Sequence, residues 1–138
     1  YLFGEPGVGK TFYAQCVTNR LENNGFTPIF ITAFEINEIA TNFFKKAPYE
    51  NLVAEEILTT CDLLVIDDLG SEPIYNKITV EKLNNIITRR SELKKPFFIT
   101  SNFIPDEILT YYGERIFSRI SGKNTSKLKI NGKDLRKQ

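Results

Sequence analysis

The chain has 138 residues, of which 41% are hydrophobic and 25% are charged, a length and mixture that predict one globular domain. Its 18 basic and 17 acidic residues leave a net charge of +1, which excludes nucleic-acid binding through a uniformly basic surface. Histidine is absent and the two cysteines are far apart, so nothing indicates a zinc site or a disulfide scaffold. Cys16 and Cys61 each lie in an apolar stretch, which predicts a buried thiol for both.

The ends of the chain and its hydropathy bear on where the protein works. No apolar run reaches the length of a membrane span and no signal peptide is visible, which predicts a cytoplasmic protein with no membrane contact. Methionine is absent, so Tyr1 is not an encoded start, and residues 1–3 have the pattern of a strand already under way. We therefore expect a fragment that has lost upstream sequence.

Strands and helices alternate along the chain, which predicts an α/β fold with a parallel sheet flanked by helices. The first half is predicted to contain a strand tail at residues 1–3, a helix from Lys10 to about Asn24, a strand over Pro28–Phe34, a helix over Glu35–Lys46 and a short helix over Tyr49–Thr60. On the second of these helices, Ile36, Ile39, Ala40 and Phe43 share one face.

The second half continues the alternation. It is predicted to contain a buried strand over Asp62–Gly70, a loop over Ser71–Lys77, a helix over Thr79–Leu93, a strand over Pro96–Asn102, a helix over Asp106–Ser121 and a last short strand before a charged end. In the helix after the loop, Leu83, Ile86 and Ile87 are expected to face the core.

The segment Gly4–Thr11, with the sequence GEPGVGKT, matches the P-loop pattern G-x-x-x-x-G-K-[ST]. Its glycines allow positive φ angles, so that successive backbone N–H groups can surround an anion. The helix that follows directs the positive end of its dipole to the same point. The pattern predicts a phosphate-binding loop in which Lys10 reaches the β- and γ-phosphates and Thr11 offers its hydroxyl to Mg²⁺.

Two adjacent carboxylates end the apolar strand LLVIDD, at Leu63–Asp68. In a parallel sheet they lie at the edge where ligands bind. Together with the P-loop, this pattern predicts that Asp67 lies near Mg²⁺, directly or through water, and that Asp68 polarises the attacking water. Neighbouring side chains on a strand point to opposite faces, so the two acids are expected to have different roles.

A third apolar strand, FFITSN, ends in small polar residues at the same expected edge. An amide there can orient the lytic water and sense the γ-phosphate, and Asn102 is the candidate. A strand-terminating asparagine without such a role is the alternative.

The segment GERIFSRI places Arg115 and Arg119 four residues apart, on one face of a helix. Arginines in exposed helices are usually solvated charges or salt-bridge partners. The alternative is a cation that stabilises transition-state charge on the γ-phosphate of a neighbouring subunit. The segment GKDLR near the end supplies a further candidate cation, Arg136.

Taken in this order, the motifs GEPGVGKT, LLVIDDLG, ITSN, GERIFSRI and GKDLR resemble the ATPase domain of bacterial replicative helicase loaders of the DnaC/DnaI type. These are AAA+ proteins, and transposition helpers of the IstB type share most of the motifs. The resemblance covers essentially the whole chain. It implies an AAA+ P-loop core with little or no lid domain, spanning residues 1–138, without the N-terminal helicase-binding domain of the family.

The resemblance also implies roles for individual residues. ATP would be bound by Glu5, Pro6, Gly7, Val8, Gly9, Lys10, Thr11, Phe12 and the sensor 2 arginine, Arg136. Mg²⁺ would be held by Thr11 and Asp67. Catalysis would depend on Asp68, on the sensor 1 residue Asn102 and on Arg119, an arginine finger that acts in trans on a neighbouring copy, with Arg115 beside it. Many AAA+ enzymes have glutamate at the position of Asp68, so hydrolysis is expected to be slow. An arginine finger that acts in trans also makes it assembly-dependent.

The family binds a replicative helicase and single-stranded DNA, and both are expected partners. Candidate DNA-contacting residues combine aromatic rings with positive charge, the features of a stacking and phosphate-tracking groove; they are Phe44, Lys45, Lys46 and Tyr75. The same aromatic residues could instead belong to the core, and the lysines to a solvated helix end.

Three functional hypotheses follow from these patterns. The first is an ATPase switch in a primosome component that loads the helicase. The second is a nucleotide-binding interaction module with little turnover. The third is an IstB-like transposition helper, which would prefer double-stranded to single-stranded DNA.

Overall fold

The computed structural model describes residues 1–41, 48–73 and 77–137. Within these residues, five strands form one sheet of parallel neighbours in the order β2-β3-β4-β1-β5. The strands are β1 (Leu2–Phe3), β2 (Pro28–Thr32), β3 (Leu63–Leu69), β4 (Phe97–Ser101) and β5 (Leu128–Lys129). The helices are α1 (Lys10–Glu22), α2 (Ala33–Thr41), α3 (Pro48–Thr60), α4 (Lys77–Glu92), α5 (Pro105–Tyr112) and α6 (Glu114–Ile120), and a 3₁₀ turn follows β5 at Leu135–Lys137. The predicted α/β parallel sheet is confirmed.

The central strand β3 is buried because helices cover both faces of the sheet. Its side chains alternate between the two faces. Leu63 and Val65 pack with Ala14 of α1 on one face, whereas Leu64 and Ile66 join a larger cluster on the other. That cluster includes side chains of the later helices, namely Leu83, Ile86, Ile87, Ile108, Ile116 and Ile120. A continuous apolar run is typical of a strand covered on both sides.

The strand β2 ends at Thr32 rather than at the predicted Phe34, because a capping box begins α2 there. The Thr32 hydroxyl accepts a hydrogen bond from the Glu35 N–H (3.1 Å), and Oε2 of Glu35 accepts one from the Thr32 N–H (2.7 Å). This reciprocal pair satisfies two N–H groups at the helix start. The bonds from the Thr32 backbone and hydroxyl also lower the pKa of Glu35.

The predicted helix Asp106–Ser121 is two helices, because Gly113 interrupts it. Gly113 has a φ of 79° and a ψ of 173°, a backbone conformation that residues with a Cβ rarely adopt. Its N–H donates to the carbonyl oxygen of Leu109 at 3.1 Å and ends α5. The second helix, α6, then buries Ile116 and Ile120 in the larger core cluster.

The other predicted helices and strands agree with the structure apart from shifts at their ends. The inward-facing side chains predicted for α4 are buried, and so are Ile36 and Ala40 of α2. The predicted extension of α2 to Lys46, with Phe43, lies outside the described residues. Across the described ranges, every helix is too short or too polar to cross a lipid bilayer.

The prediction of two buried thiols is wrong for one cysteine. Cys61 is buried, but Cys16 is exposed on α1. The face of α1 that meets the sheet carries Lys10, Ala14 and Thr18, which recur at a spacing of four. Cys16 lies two residues from Ala14, about 200° around the helix, and therefore faces away from the sheet.

Arg90 of α4 is completely buried and joins four elements near the amino ends of β3 and β4. Its Nη1 donates to the Leu58 oxygen (2.8 Å) and to Sγ of Cys61 (3.1 Å), and its Nη2 donates to the oxygens of Cys61 (2.9 Å) and Pro96 (2.6 Å). Burial lowers the pKa of the guanidinium, and the Cys61 thiol partly opposes this effect. Carbonyl oxygens at the end of α3 carry partial negative charge, so they help to stabilise the buried cation.

Replacing Arg90 with methionine should lower the free energy of unfolding by about 3–5 kcal/mol, because three carbonyl oxygens, two of them buried, lose a charged hydrogen-bond donor. Urea unfolding followed by circular dichroism measures this change. Arg89→Met is the matched control, since Arg89 is the exposed neighbour on the same helix, and its effect should stay within about 0.5 kcal/mol. Equal stability of the two variants would contradict the role given to Arg90.

Candidate nucleotide-binding site

The segment Gly4–Thr11 links the end of β1 to α1, the strand-to-helix context that the P-loop motif requires. Gly7 and Gly9 have φ angles of 82° and 93°, which glycine adopts without steric cost. A Cβ atom added to Gly7 would also lie 1.9 Å from Oδ1 of Asp134. The conformation therefore favours glycine at position 7, and a larger residue there would displace the Asp134 carboxylate.

Lys10 begins α1, and its ammonium group lies between the loop and β4. Its Nζ donates to the backbone oxygens of Gly4 and Glu5, both at 2.8 Å, and to Oδ1 of Asn102 at 2.7 Å. The residue is 7% exposed, and burial lowers the pKa of the ammonium group. The carboxylates of Asp68 and Asp67 oppose that shift. The site therefore contains a cation fixed by oxygen atoms from two separate parts of the chain.

Asp67 is 4% exposed and is held by two hydroxyl groups. Its Oδ2 accepts a hydrogen bond from Thr11 (2.9 Å), and its Oδ1 accepts one from Thr100 of β4 (2.6 Å). The two residues predicted to bind metal, Thr11 and Asp67, are thus in direct contact. The motif ITSN contains Thr100, but no role is predicted for it from the sequence, although a polar Thr-Ser pair at the end of an apolar strand is a usable signal.

Asp68 lies in an irregularity of β3, where the register with β4 shifts between Ile66 and Leu69. Its φ of 55° is uncommon for a residue other than glycine. Its N–H donates to the Thr100 hydroxyl oxygen at 2.9 Å, and Nδ2 of Asn102 donates to its Oδ1 at 3.4 Å. The two adjacent carboxylates therefore differ, because one is buried between hydroxyls and the other is half-buried beside an amide.

A cavity of about 450 Å³ brings most of the predicted nucleotide-binding residues together. It is lined by Pro6, Gly7, Gly9, Lys10, Thr11, Phe12, Asp68, Asn102, Leu135 and Arg136. Phe12 is 70% exposed, so its ring is open to solvent at this cavity. Two other predicted residues are not part of the lining: the Glu5 side chain is exposed, and Val8 is buried.

The segment Asp134–Arg136 covers one side of this cavity. The N–H of Leu135 donates to the Gly7 oxygen at 3.0 Å. Oδ1 of Asp134 accepts hydrogen bonds from the backbone N–H and from Nε of Arg136, both at 3.0 Å. This pairing lowers the pKa of Asp134 and raises that of Arg136. Asp134 and Leu135 are not predicted from the sequence, where the charged segment GKDLR is their only signal.

Arg119 lies near the amino ends of the strands, whereas the P-loop lies at their carboxyl ends. It lines a second cavity with Lys94, Lys95 and Lys123, near the start of β4 and β5. Its Nη1 donates to the carbonyl oxygen of Arg115, one turn earlier in α6, at 2.8 Å. Because the P-loop follows the carboxyl end of β1 and all strands are parallel, the two sites lie at opposite ends of the strands. Arg119 is therefore not brought to the P-loop cavity of its own chain.

The segments predicted to contact DNA are described only at their flanks. The predicted residues themselves, Phe44, Lys45, Lys46 and Tyr75, lie outside the described residues. Before Tyr75, Glu72 is buried, and its carboxylate accepts hydrogen bonds from the Gly70 N–H (2.9 Å) and the Tyr112 hydroxyl. Burial, reinforced by Glu72, raises the pKa of Tyr112. The loop that follows the two aspartates is thus tied to α5.

The donor set at the P-loop fits a magnesium–nucleotide complex. The described residues contain no group of three acidic, histidine or cysteine side chains that could enclose a metal ion. Thr11 and Asp67 instead present a hydroxyl and a carboxylate oxygen 2.9 Å apart. Mg²⁺ is commonly bound by one or two such oxygens together with substrate phosphates and water. The nearby ammonium of Lys10 favours the phosphates.

The curated relatives of this chain include replicative helicase loaders. The chain is 31% identical over 119 residues to the replicative helicase loader DnaC of Escherichia coli strain K12, a match that covers 85% of this chain and 47% of that protein. It is 27% identical over 113 residues to the replicative helicase loader DnaI of Bacillus subtilis strain 168, covering 81% of this chain and 35% of that protein. The chain thus spans about half or less of the length of these relatives. No family model matches the chain.

Solved structures of several replication proteins share the fold of this chain. A crystal structure of the DnaC helicase loader matches with a TM-score of 0.80 and 26% identity, covering 94% of this chain and 76% of that one. The replication initiator DnaA, bound to AMPPCP and single-stranded DNA, matches with a TM-score of 0.81 and 21% identity, covering 96% of this chain and 40% of that one. The predicted resemblance and the predicted AAA+ core are confirmed. The chain is an AAA+ P-loop domain of the kind found in the replicative helicase loaders DnaC and DnaI.

Proposed function

We propose that this chain is the ATP-binding and hydrolysing AAA+ domain of a cytoplasmic replication protein that loads the replicative helicase onto single-stranded DNA. The observation that carries the proposal is the contact between Asp67 and Thr11, which lines the same cavity as Lys10 at the carboxyl ends of the strands. The relatives named as helicase loaders support the helicase as partner. The DnaA structure with AMPPCP and single-stranded DNA supports both ligands.

Nucleotide binding rests on charge and backbone geometry in the P-loop. Lys10 would pair with the β- and γ-phosphates, while the N–H groups of the loop, between Glu5 and Thr11, would surround them. The exposed ring of Phe12 borders the same cavity and would contact the base or ribose. Thr11 and Asp67 would hold Mg²⁺, which neutralises phosphate charge when it is bound.

Hydrolysis would use the second aspartate and the amide beside it. Asp68 would polarise the attacking water, and Asn102, whose Nδ2 donates to Asp68, would orient that water toward the γ-phosphate. Lys10 also contacts Asn102, so the amide connects the phosphate-binding cation to the catalytic carboxylate. The Asp68 carboxylate, held by Asn102, would then need little movement between nucleotide binding and hydrolysis.

Two arginines would complete the site from different chains. Arg136 lines the cavity of its own chain and would contact the phosphates there. Arg119, at the opposite edge of the sheet, would serve the cavity of a neighbouring copy as an arginine finger. Turnover would then depend on self-association.

Lys10→Ala should weaken binding of a fluorescent ATP analogue with Mg²⁺ about tenfold or more, because the phosphates lose their charged hydrogen-bond donor. Equilibrium titration of fluorescence measures the Kd. Lys127→Ala is the control, since Lys127 is an exposed lysine outside the cavity, and it should bind as the wild type does. Unchanged binding by Lys10→Ala would remove the basis of the proposal.

Asp68→Asn should retain nucleotide but lower the turnover rate about 100-fold, because an amide cannot accept the proton of the attacking water. Phosphate release is measured at saturating Mg-ATP, with and without single-stranded DNA. Asp106→Asn, which changes an exposed carboxylate in the first turn of α5, should keep wild-type turnover. Stoichiometric binding without turnover by the wild type under all these conditions would favour a nucleotide-binding module instead.

Arg119→Ala should lower the turnover rate about tenfold or more, because the neighbouring cavity loses its arginine finger. The effect should appear at protein concentrations where copies associate, and the Kd for nucleotide should stay unchanged. Mixing Arg119→Ala with Lys10→Ala should restore part of the activity, since one chain supplies the arginine and the other the intact cavity. A mixture of Arg119→Ala with Arg119→Ala/Lys10→Ala has no such pairing and is the control. Failure of the first mixture to exceed this control would exclude action in trans.

A further inference from the structure

The hydroxyl group of Thr100 lies between the two aspartates of β3 and contacts both. Thr100 is 1% exposed and belongs to β4, the strand beside β3. Its Oγ1 donates to Oδ1 of Asp67 at 2.6 Å and accepts from the backbone N–H of Asp68 at 2.9 Å. One buried side chain therefore joins the metal-binding and catalytic carboxylate residues.

These two hydrogen bonds fix the direction of the hydroxyl group. A threonine hydroxyl has one proton to donate and lone pairs that accept. The Asp68 N–H points at the oxygen as a donor, so the proton of Thr100 is committed to Asp67. A hydroxyl that donates to a carboxylate makes a short, charge-assisted bond, and the observed distance agrees with this.

The bond to Thr100 determines which oxygen of Asp67 remains for other partners. Oδ1 is occupied by Thr100, while Oδ2 lies 2.9 Å from the hydroxyl of Thr11. Rotation of the carboxylate would break the bond to Thr100 and turn Oδ2 away from Thr11. The hydroxyl of Thr100 thereby holds Oδ2 toward the P-loop.

The Thr100 hydroxyl also accepts the hydrogen bond that the Asp68 N–H would otherwise donate to a backbone carbonyl of the neighbouring strand. The register of β3 and β4 shifts between Ile66 and Leu69, so Asp68 lies where regular pairing is interrupted. A buried N–H without an acceptor is unfavourable, and the positive φ of Asp68 adds backbone strain. Thr100 satisfies that N–H at the strained residue.

We propose that Thr100 is a positioning residue for the Mg²⁺ site: its hydroxyl orients Asp67 toward Thr11 and fixes the backbone of Asp68. This inference rests on the proposed function, since it assigns Thr100 a role toward the metal that accompanies ATP. Partners that orient metal ligands commonly change metal affinity about 10- to 100-fold when they are removed. A hydroxyl that merely satisfied the strand irregularity would not affect metal dependence selectively.

The test compares nucleotide affinity with and without metal in variants that differ only in the hydroxyl. Thr100→Val keeps the shape of threonine, and the pair Thr100→Ser and Thr100→Ala repeats the comparison with a smaller side chain. Thr59→Val is the control, because the Thr59 hydroxyl is equally buried and bonds to carbonyl oxygens of Glu55 and Glu56 within α3. The Kd of a fluorescent ATP analogue is measured in saturating Mg²⁺ and in EDTA.

Thr100→Val and Thr100→Ala should reduce the Mg²⁺-dependent gain in affinity about tenfold or more, while the Kd in EDTA stays within about twofold of wild type. Thr100→Ser and Thr59→Val should keep the wild-type gain. If Thr100→Val does not fold, the Ser and Ala pair decides the same question.

An unchanged Mg²⁺-dependent gain in Thr100→Val or Thr100→Ala would overturn the inference. Equal losses in Mg²⁺ and in EDTA would also overturn it, because they would indicate damage to the whole cavity. A wild-type protein that bound no nucleotide, or bound it without regard to Mg²⁺, would instead contradict the proposed function.

Discussion

The site depends on one irregularity in the central strand, between Ile66 and Leu69. In a regular strand, the carboxylates of Asp67 and Asp68 would point to opposite faces of the sheet. The register shift and the positive φ of Asp68 change the direction of its side chain, and its carboxylate lies beside Asn102 in the cavity that Thr11, the partner of Asp67, also lines. Strain of this kind costs about 1–3 kcal/mol and persists only where the surroundings compensate for it.

The compensation comes from the last residues of β4. Ser101 donates to the Leu69 oxygen at 2.6 Å, one residue beyond the Thr100 hydroxyl that contacts both aspartates. Asn102 follows and accepts a hydrogen bond from Lys10 while donating to Asp68. Three consecutive polar side chains, two at the end of β4 and one just after it, thus organise the irregular end of β3 and connect it to the P-loop.

Much of this arrangement could be predicted because its signals are local in sequence. Each signal consists of a strand and the residues that directly follow it. This holds for the P-loop glycines, for the apolar run before Asp67 and for Asn102. The roles of Thr100 and Asp134 cannot be predicted in this way, because their contacts depend on strand register and on the path of the chain after β5. The sequence does not reveal the break at Gly113, because the residues on either side continue a helical apolar pattern. It also misplaces Cys16, because the apolar neighbours of that residue do not show which face of α1 meets the sheet.

The placement of Arg119 at one edge of the sheet and the P-loop at the other has a consequence for assembly. A two-fold dimer joins identical patches, whereas here the arginine and the cavity belong to different patches of one chain. Copies that contact each other in the proposed way would add head to tail, and their contacts would be heterologous. In an open row, one terminal subunit has no neighbour to supply Arg119, so its cavity stays incomplete. Closing the row into a ring would complete every cavity.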